Sequence, residues 1–555
     1  MTFLRAVQYF HTVKYLKPIQ LYGRLWFSFY KPKADLSPAP ALRALSLASF
    51  LSPAQRRPSM LGPRKFNFLN EEGTLDSGWD DLTRTKLWRY NLHYFDDLNS
   101  IGALSRDAWH KVLIDDWIAQ NLPGEGTGWE PYPTSLRIVN WIKRHLDGRY
   151  LSTNQCQSLA VQVRWLMKRL EWHLLGNHLF ANAKALIFAG FLFDGPEANC
   201  WLTKGLNIVR LQLSEQVLAD GGNFELSPMY HSIFLEDLLD LINVASLSCG
   251  LIDSPTIQCW RETAEKMLNW MAAMCHPDGE ISFFNDAAFG VASTPAELKA
   301  YASRNGVVTK VPEVAFESDK PVVTVLSDSG YVRMEATAAV ALLDVAHVGP
   351  AYLPGHAHAD TLSFELSIWD QRVVVNGGTS RYGIGPERLR ERSTIAHSTV
   401  MINNRDSSEV WGGFRVARRA RPIDLMISQH TDEVVVACSH DGYQRLPGKP
   451  IHRRQWNFGS NVLTVTDKVI GMFTCAEAKY NFHPDVRVYL SDENMLTLAL
   501  PTGEKILFRV TVGRLRLESS RYACMFGFVQ NTTCAVVSTA SSENDATACI
   551  EFVWK

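Results

Sequence analysis

No segment of this 555-residue chain is apolar for long enough to span a bilayer as a helix, and no two of its ten cysteines stand as a CxxC pair. The cysteines therefore point neither to a structural zinc knuckle nor to a disulfide framework, and a reducing compartment is the simpler setting. An excess of charge of one sign is also lacking. The 56 basic and 57 acidic residues leave −1, which gives no general affinity for nucleic acid. The N-terminal MTFLRAVQYFHTVKYLKPIQLYGRLWF intersperses Arg, Lys, His and Gln among its apolar residues. It has neither the unbroken apolar core nor the small-residue cleavage site of a secretory leader. A cytoplasmic location is expected on that basis, with the periplasm or export by another route as the alternative.

What is present is a globular composition, 46% hydrophobic and 20% charged, in a chain too long for one core. Two or more domains are expected. The 16 Trp, 17 Tyr and 27 Phe suit either core packing or platforms that stack on sugar faces. From about residue 101 to 315 the apolar residues recur at three- and four-residue spacing, segment after segment. Serial antiparallel helix pairs of this kind close into an α/α toroid or stack as a solenoid. From about residue 320 to the end the segments alternate or are β-branched, which predicts a large antiparallel β-sandwich. STPAELKAYASRNGVVTKVPEVAFESDKP reads as the connector. Residues 1–100 read as a helical, loop-rich wrap around the toroid.

Three constellations carry chemistry. The first is EWHLLGNHLFANAKALIFAGFLF, where a single helix would place His173, Asn177 and Lys184 on one face. A polar stripe on a buried helix needs partners, either substrate or an internal network. The second is DGGNFELSPMYHSIFLEDLLDL. Ser227 and Pro228 suit the cap and first position of a helix, which sets Tyr230 in its first turn. There the helix dipole and nearby cations would ease formation of a phenolate. Glu225 and His231 are second-rank candidates beside it. The third is GHAHADTLSFEL with RERSTIAHSTVMI, which gathers His356, His358, Asp360 and His397. Two-residue spacing points side chains to one face of a strand, and imidazoles grouped so suit proton transfer or a metal. Between the two halves of this group lie Arg381, Arg388, Arg390 and Arg392, a cationic rim suited to carboxylates or a solvated loop. His358, His397 and an acid could hold zinc, but the strand after the hairpin ends in Asn376, a weak ligand.

These blocks, together with GWEPYPTSLRIVNWIK, resemble the signature segments of the heparinase II/III-like polysaccharide lyases, in the same order and over roughly residues 80 to 420. The resemblance implies an incomplete α/α toroid followed by an antiparallel β-sandwich. It also implies β-elimination on uronic-acid-containing polysaccharide. By position, the carboxylate-neutralising residue falls at Asn177, with His178 as competitor. The family's tyrosine falls at Tyr230, the histidine of the HxHxD block at His356 or His358, and that of the second block at His397. Zinc-binding members use an aspartate where this chain has Asn376, so no cofactor is required and a zinc ion held by His358, His397 and Asn376 is an open option. Trp129, His178, Glu225, His231, Arg381 and Arg392 are candidate substrate contacts.

Eliminating across a 4-linked uronate requires three things: neutralising the carboxylate, removing the proton on carbon 5, and protonating the departing oxygen. Asn177 suits the first task, a histidine such as His358 the second, and Tyr230 the third. The expected partner is an acidic polysaccharide or oligosaccharide. Two rivals stand beside this reading. One is a glycoside hydrolase using two carboxyl groups, for which Glu130 and Glu225 could be offered. The other is a non-catalytic carbohydrate-binding or exopolysaccharide-assembly protein on the same fold.

Overall fold

The three- and four-residue apolar spacing of the first half resolves into helices. The computed structural model describes residues 3–45, 50–247, 250–308, 320–541 and 545–555. Among these, α1 (Phe3–Val13) and α2 (Pro18–Phe29) precede a small three-stranded sheet, Met60–Gly62, Lys65–Phe68 and Glu71–Thr74. Nine helices follow: α3 (Lys86–Tyr94), α4 (Asp107–Gln120), α5 (Pro131–Leu146), α6 (Thr153–Lys168), α7 (Gly176–Leu192), α8 (Pro196–Gln216), α9 (Pro228–Ala245), α10 (Ser254–Met274) and α11 (Pro295–Arg304). α7 is buried along almost its whole length and packs on α5, α8 and α9.

Local chemistry sets the helix starts. Ser227 caps α9 by accepting from the Tyr230 N–H, with Pro228 at the first position. Ser152 and Gln155 form a capping box on α6. The first hundred residues do more than wrap the toroid: Phe66, Trp79, Trp88 and Leu92 belong to the same apolar core as Trp141 and Leu186. The segment read as a connector is not all loop either, since α11 forms within it, capped by Thr294. Residues 309–319 of that segment lie outside the described residues.

The second half is antiparallel sheet. Five consecutive strands, from Val322–Leu326 to Gln371–Val374, form one meander, and two further sheets of nine and four strands complete the layers. Inward residues of all three share one core, among them Phe364, Trp456, Phe508 and Val537, as face-to-face sheets require. The architecture is thus an α/α toroid followed by an antiparallel β-sandwich. One short helix, α12 (Pro386–Arg392), interrupts the sheets.

The halves interlock. Phe289, past the end of α10, donates its N–H to Cys524 O in the sheet half at 2.8 Å. Gly176, at the start of α7, sits at φ +55, and a Cβ there would lie 2.4 Å from Leu353 of the sheet half. Only glycine allows both that backbone and that approach.

Candidate active site

Asp286 lies in the loop after α10, and its buried carboxylate gathers groups from the sheet half. Oδ2 lies 2.8 Å from His356 Nδ1, and Oδ1 lies 2.8 Å from His358 Nε2. Arg388 of α12 donates to both oxygens, at 2.7 Å to Oδ2, and Thr379 Oγ1 donates to Oδ1 at 3.3 Å. Neighbouring Asn285 fixes the loop: its Nδ2 donates to Leu226 O at 2.8 Å, and its Oδ1 accepts the His358 N–H at 3.0 Å. Each His–Asp contact orients an imidazole, as a carboxylate does for a catalytic histidine.

The helical half meets this web through Tyr230. Its ring lies against His356, centroids 3.8 Å apart, and its hydroxyl is 2.9 Å from that of Tyr382. Glu225 Oε2 approaches His356 Nε2 at 3.5 Å, and the Glu225 carboxylate also receives the backbone N–H of Asn177. The half-buried side chains of Asn177 and His178 lie at the start of α7. His178 stacks near Tyr132, centroids 4.4 Å apart, with Nδ1 3.1 Å from Glu171 Oε1. Asn182 holds Glu171 in turn, donating to Oε2 at 3.0 Å. Asn177, Glu225, Tyr230, His356, His358 and His397 therefore form one continuous cluster.

The charges differ sharply within it. Burial would raise the Asp286 carboxyl, but Arg388 and the two imidazoles hold it well below the ordinary range. Burial lowers His358 despite its bond to Asp286, and lowers His397 still further with the help of His358. Both are neutral at pH 7. Burial also disfavours charge on His178, yet Glu171 reverses this and raises it. Burial pushes the Tyr230 phenol well above its ordinary value, and Tyr382, Asp286 and Glu225 add to the shift. The expectation of an eased phenolate is thereby corrected: Tyr230 rests protonated, because acids and burial outweigh the helix terminus.

Two lone pairs would face each other between His358 Nδ1 and His397 Nε2, which lie 3.2 Å apart, unless a proton or an ion sits between them. His358, Asp360 and His397 offer ligand atoms that all lie within 4.8 Å of one another. Two nitrogens bound tetrahedrally to zinc would stand about 3.3 Å apart, so the donor set fits. The cluster does not by itself show a metal, since a hydrogen bond relayed from Asp286 through His358 to His397 accounts for the same distance. Asn376 is not part of the set. Its amide is occupied, accepting from Ser398 N at 3.2 Å and donating to Ser363 Oγ at 3.3 Å.

Other candidates fall elsewhere. His231 is sealed in the helical core, stacked on Trp270 with Nε2 2.9 Å from Met267 O, and burial lowers it to about 4. Trp129 packs between Trp117 and Trp165 and is 3% exposed. Neither is open to a ligand; both are large side chains on inward faces of the toroid. Arg392 is buried too, donating to Ala357 O at 2.8 Å, so it braces the HxHxD loop rather than a substrate. Arg381 is exposed. The stripe expected on one helix does not form, because α7 begins only at Gly176. His173 precedes it and stacks on Phe27, while Lys184 is paired with Asp237 and Asp240. Asp286, Tyr382 and the Asp286–Arg388 pair escape sequence reading. The one available signal was Asn285-Asp286 interrupting the apolar run FFNDAAF.

The family descriptions "Heparinase II/III N-terminus" and "Heparinase II/III-like, C-terminal" match residues 110–304 and 319–553. A heparin-sulfate lyase of Bacteroides stercoris is 24% identical over 311 residues, covering 53% of this chain and 44% of that protein. A heparin-sulfate lyase of Pedobacter heparinus is 24% identical over 352 residues, covering 58% and 48%. The chain thus spans about half the length of the curated relatives it matches. Among solved structures, a crystal structure of heparinase III superposes with a TM-score of 0.67 at 17% identity, over 86% of this chain and 80% of that one. The heparan sulfate lyase HepC from Pedobacter heparinus gives 0.56 at 18% identity, over 96% and 87%. These structural likenesses speak to the fold. With both family segments matched in order across most of its length, the chain belongs to the heparinase II/III-like family.

Proposed function

We propose that the protein cleaves a uronate-containing polysaccharide by β-elimination. One observation carries the reading: a protonated phenol from the toroid and an imidazole from the sandwich lie in ring contact, beside a half-buried amide and an imidazole of raised pKa. The Asn177 amide and the His178 imidazolium take the uronate carboxylate, which acidifies the proton on carbon 5. His356 takes that proton through Nε2, with Asp286 at Nδ1 stabilising the imidazolium that forms. Tyr230 delivers its proton to the glycosidic oxygen as the bond breaks.

His356 is preferred to His358 as the base. The His358 side chain is wholly buried with both nitrogens engaged, whereas His356 keeps 15% of its side chain exposed. In this reading His358 and His397 support Asp286. A zinc ion held by His358, Asp360 and His397 would supply fixed positive charge behind that support.

The test is incubation with a panel of uronate polymers of differing linkage and sulfation. Ultraviolet absorbance from an unsaturated uronate end is the expected result. New reducing ends without it would indicate a hydrolase, and retention on immobilised polymer without cleavage would indicate a binding module. Either outcome refutes elimination.

A further inference from the structure

α2 is apolar on both sides. Its inner face packs on the toroid: Phe27 stacks on His173 at 4.1 Å, and Gly23 lets the backbone close on the same residue. Its outer face carries Leu21, Tyr22, Leu25, Trp26 and Phe29, which are 46%, 60%, 63%, 63% and 83% exposed. On the neighbouring α1, Phe10 is 66% exposed. A surface helix normally turns its second face to water with polar residues. A contiguous apolar face of this kind marks an interaction surface.

The charge around the face identifies its partner. Residues 1–34 contain Arg5, Lys14, Lys17, Arg24, Lys31 and Lys33 and no acidic residue. Among the described residues, Lys17 is the one of these that meets a carboxylate, that of Glu215. The sheet half adds Arg415, over the Trp411 ring at 4.8 Å, and Arg419, over the Tyr15 ring at 4.3 Å. α1 is fastened there, with Trp411 Nε1 donating to Thr12 Oγ1 at 3.1 Å. Exposed aromatic and aliphatic side chains bordered by cations, most of which meet no carboxylate among the described residues, match the region where lipid headgroups meet acyl chains. A second copy of the chain fits poorly, because a two-fold interface would set this cationic face against itself. No helix among the described residues is long and apolar enough to cross a membrane, so the fit is to a bilayer surface.

We propose that α1 and α2 dock the protein onto an anionic lipid surface, with the outer face of α2 in the headgroup–acyl boundary and the surrounding Lys and Arg on lipid phosphates. The inner side of the same helix touches the loop that leads into the site, through Gln20 Nε2 on Tyr352 O at 3.3 Å. Docking would therefore seat the loop before His356 next to the membrane.

The test is flotation of the full chain with vesicles of phosphatidylcholine alone or mixed with phosphatidylglycerol, at low and high salt. Binding to the mixed vesicles only, weakened by salt, is expected. Leu25→Glu with Phe29→Glu should reduce it at least about tenfold, with melting temperature and turnover of soluble polymer unchanged. Three results would overturn the proposal: no flotation with either vesicle, flotation indifferent to the double substitution, or a native dimer that the same substitutions make monomeric. None depends on whether the protein is a lyase.

Discussion

In the proposed mechanism Tyr230 and His178 are the residues whose protonation matters most directly, and the two are set in opposite ways. Tyr230 is kept neutral by burial and by the acids around it, so it is ready to give a proton. Tyr230→Phe should lower the elimination rate by roughly 10²–10⁴-fold, the usual worth of a positioned acid. It should cost only about 1 kcal/mol of stability, since one hydroxyl contact with Tyr382 is lost. Steady-state kinetics beside denaturant melts read both. Full activity would remove the phenol from the mechanism. Glu171 raises the His178 imidazole against burial, so carboxylate binding should be strongest below its raised pKa and weaken as pH climbs through it. Glu171→Gln takes away the group that raises it. The pH at which KM begins to rise should then move to lower values, and an unmoved profile would mean that His178 binds substrate uncharged or not at all. Asn177, His178 and Tyr230 were legible in the sequence because each sits in a dense local block. Asp286 was not: its partners are dozens of residues away, and only the folded chain brings Arg388, His356 and His358 to it.

At the scale of elements, helix existence was legible and helix phase was not. The periodicity of α5 to α10 came through clearly, as did the Ser227–Pro228 start of α9. The start of α7 depends on Gly176 and on how closely Leu353 approaches it, a tertiary constraint that no window of residues contains. That shift separates His173 from Asn177. It leaves Lys184 facing α9, where it meets Asp237 at 2.6 Å and shares Asp240 with Lys143. This buried network ties α5, α7 and α9 together and gives Lys184 a structural role. Lys184→Met should therefore destabilise the fold by roughly 3–5 kcal/mol, because it strands the Asp237 carboxylate and leaves buried Asp240 with Lys143 as its one cation among the described residues. KM for the polymer should be unaffected. Chemical denaturation together with kinetics on the surviving folded fraction checks this, and a changed KM with unchanged stability would return Lys184 to the substrate cleft.

For the whole molecule, many imidazoles are folded into places that refuse a proton. Burial holds His93 at about 3 and His231 at about 4. The unfolded chain takes up protons at these residues from about pH 6.5 downward while the fold does not. Each one therefore lowers stability by up to ~1.4 kcal/mol per pH unit over that interval. Glu391, raised to about 7 by burial, works in the opposite direction. The clean comparison is thus the slope of melting temperature against pH between 6.5 and 4, which should be shallower in His231→Gln than in the parent. Equal slopes would mean that His231 titrates normally. The larger architecture, helices and then sheets, was readable from texture alone, while the way the halves engage was not. Asp286 belongs by sequence to the helical half, yet its charge is answered by Arg388 from the sandwich. Severing the polypeptide near residue 305 would leave an orphaned anion on one fragment and an orphaned guanidinium on the other. A half joined to a partner that lacks the matching residue would then hold an uncompensated buried charge, so a chimaera built from this chain should keep Asp286 and Arg388 together.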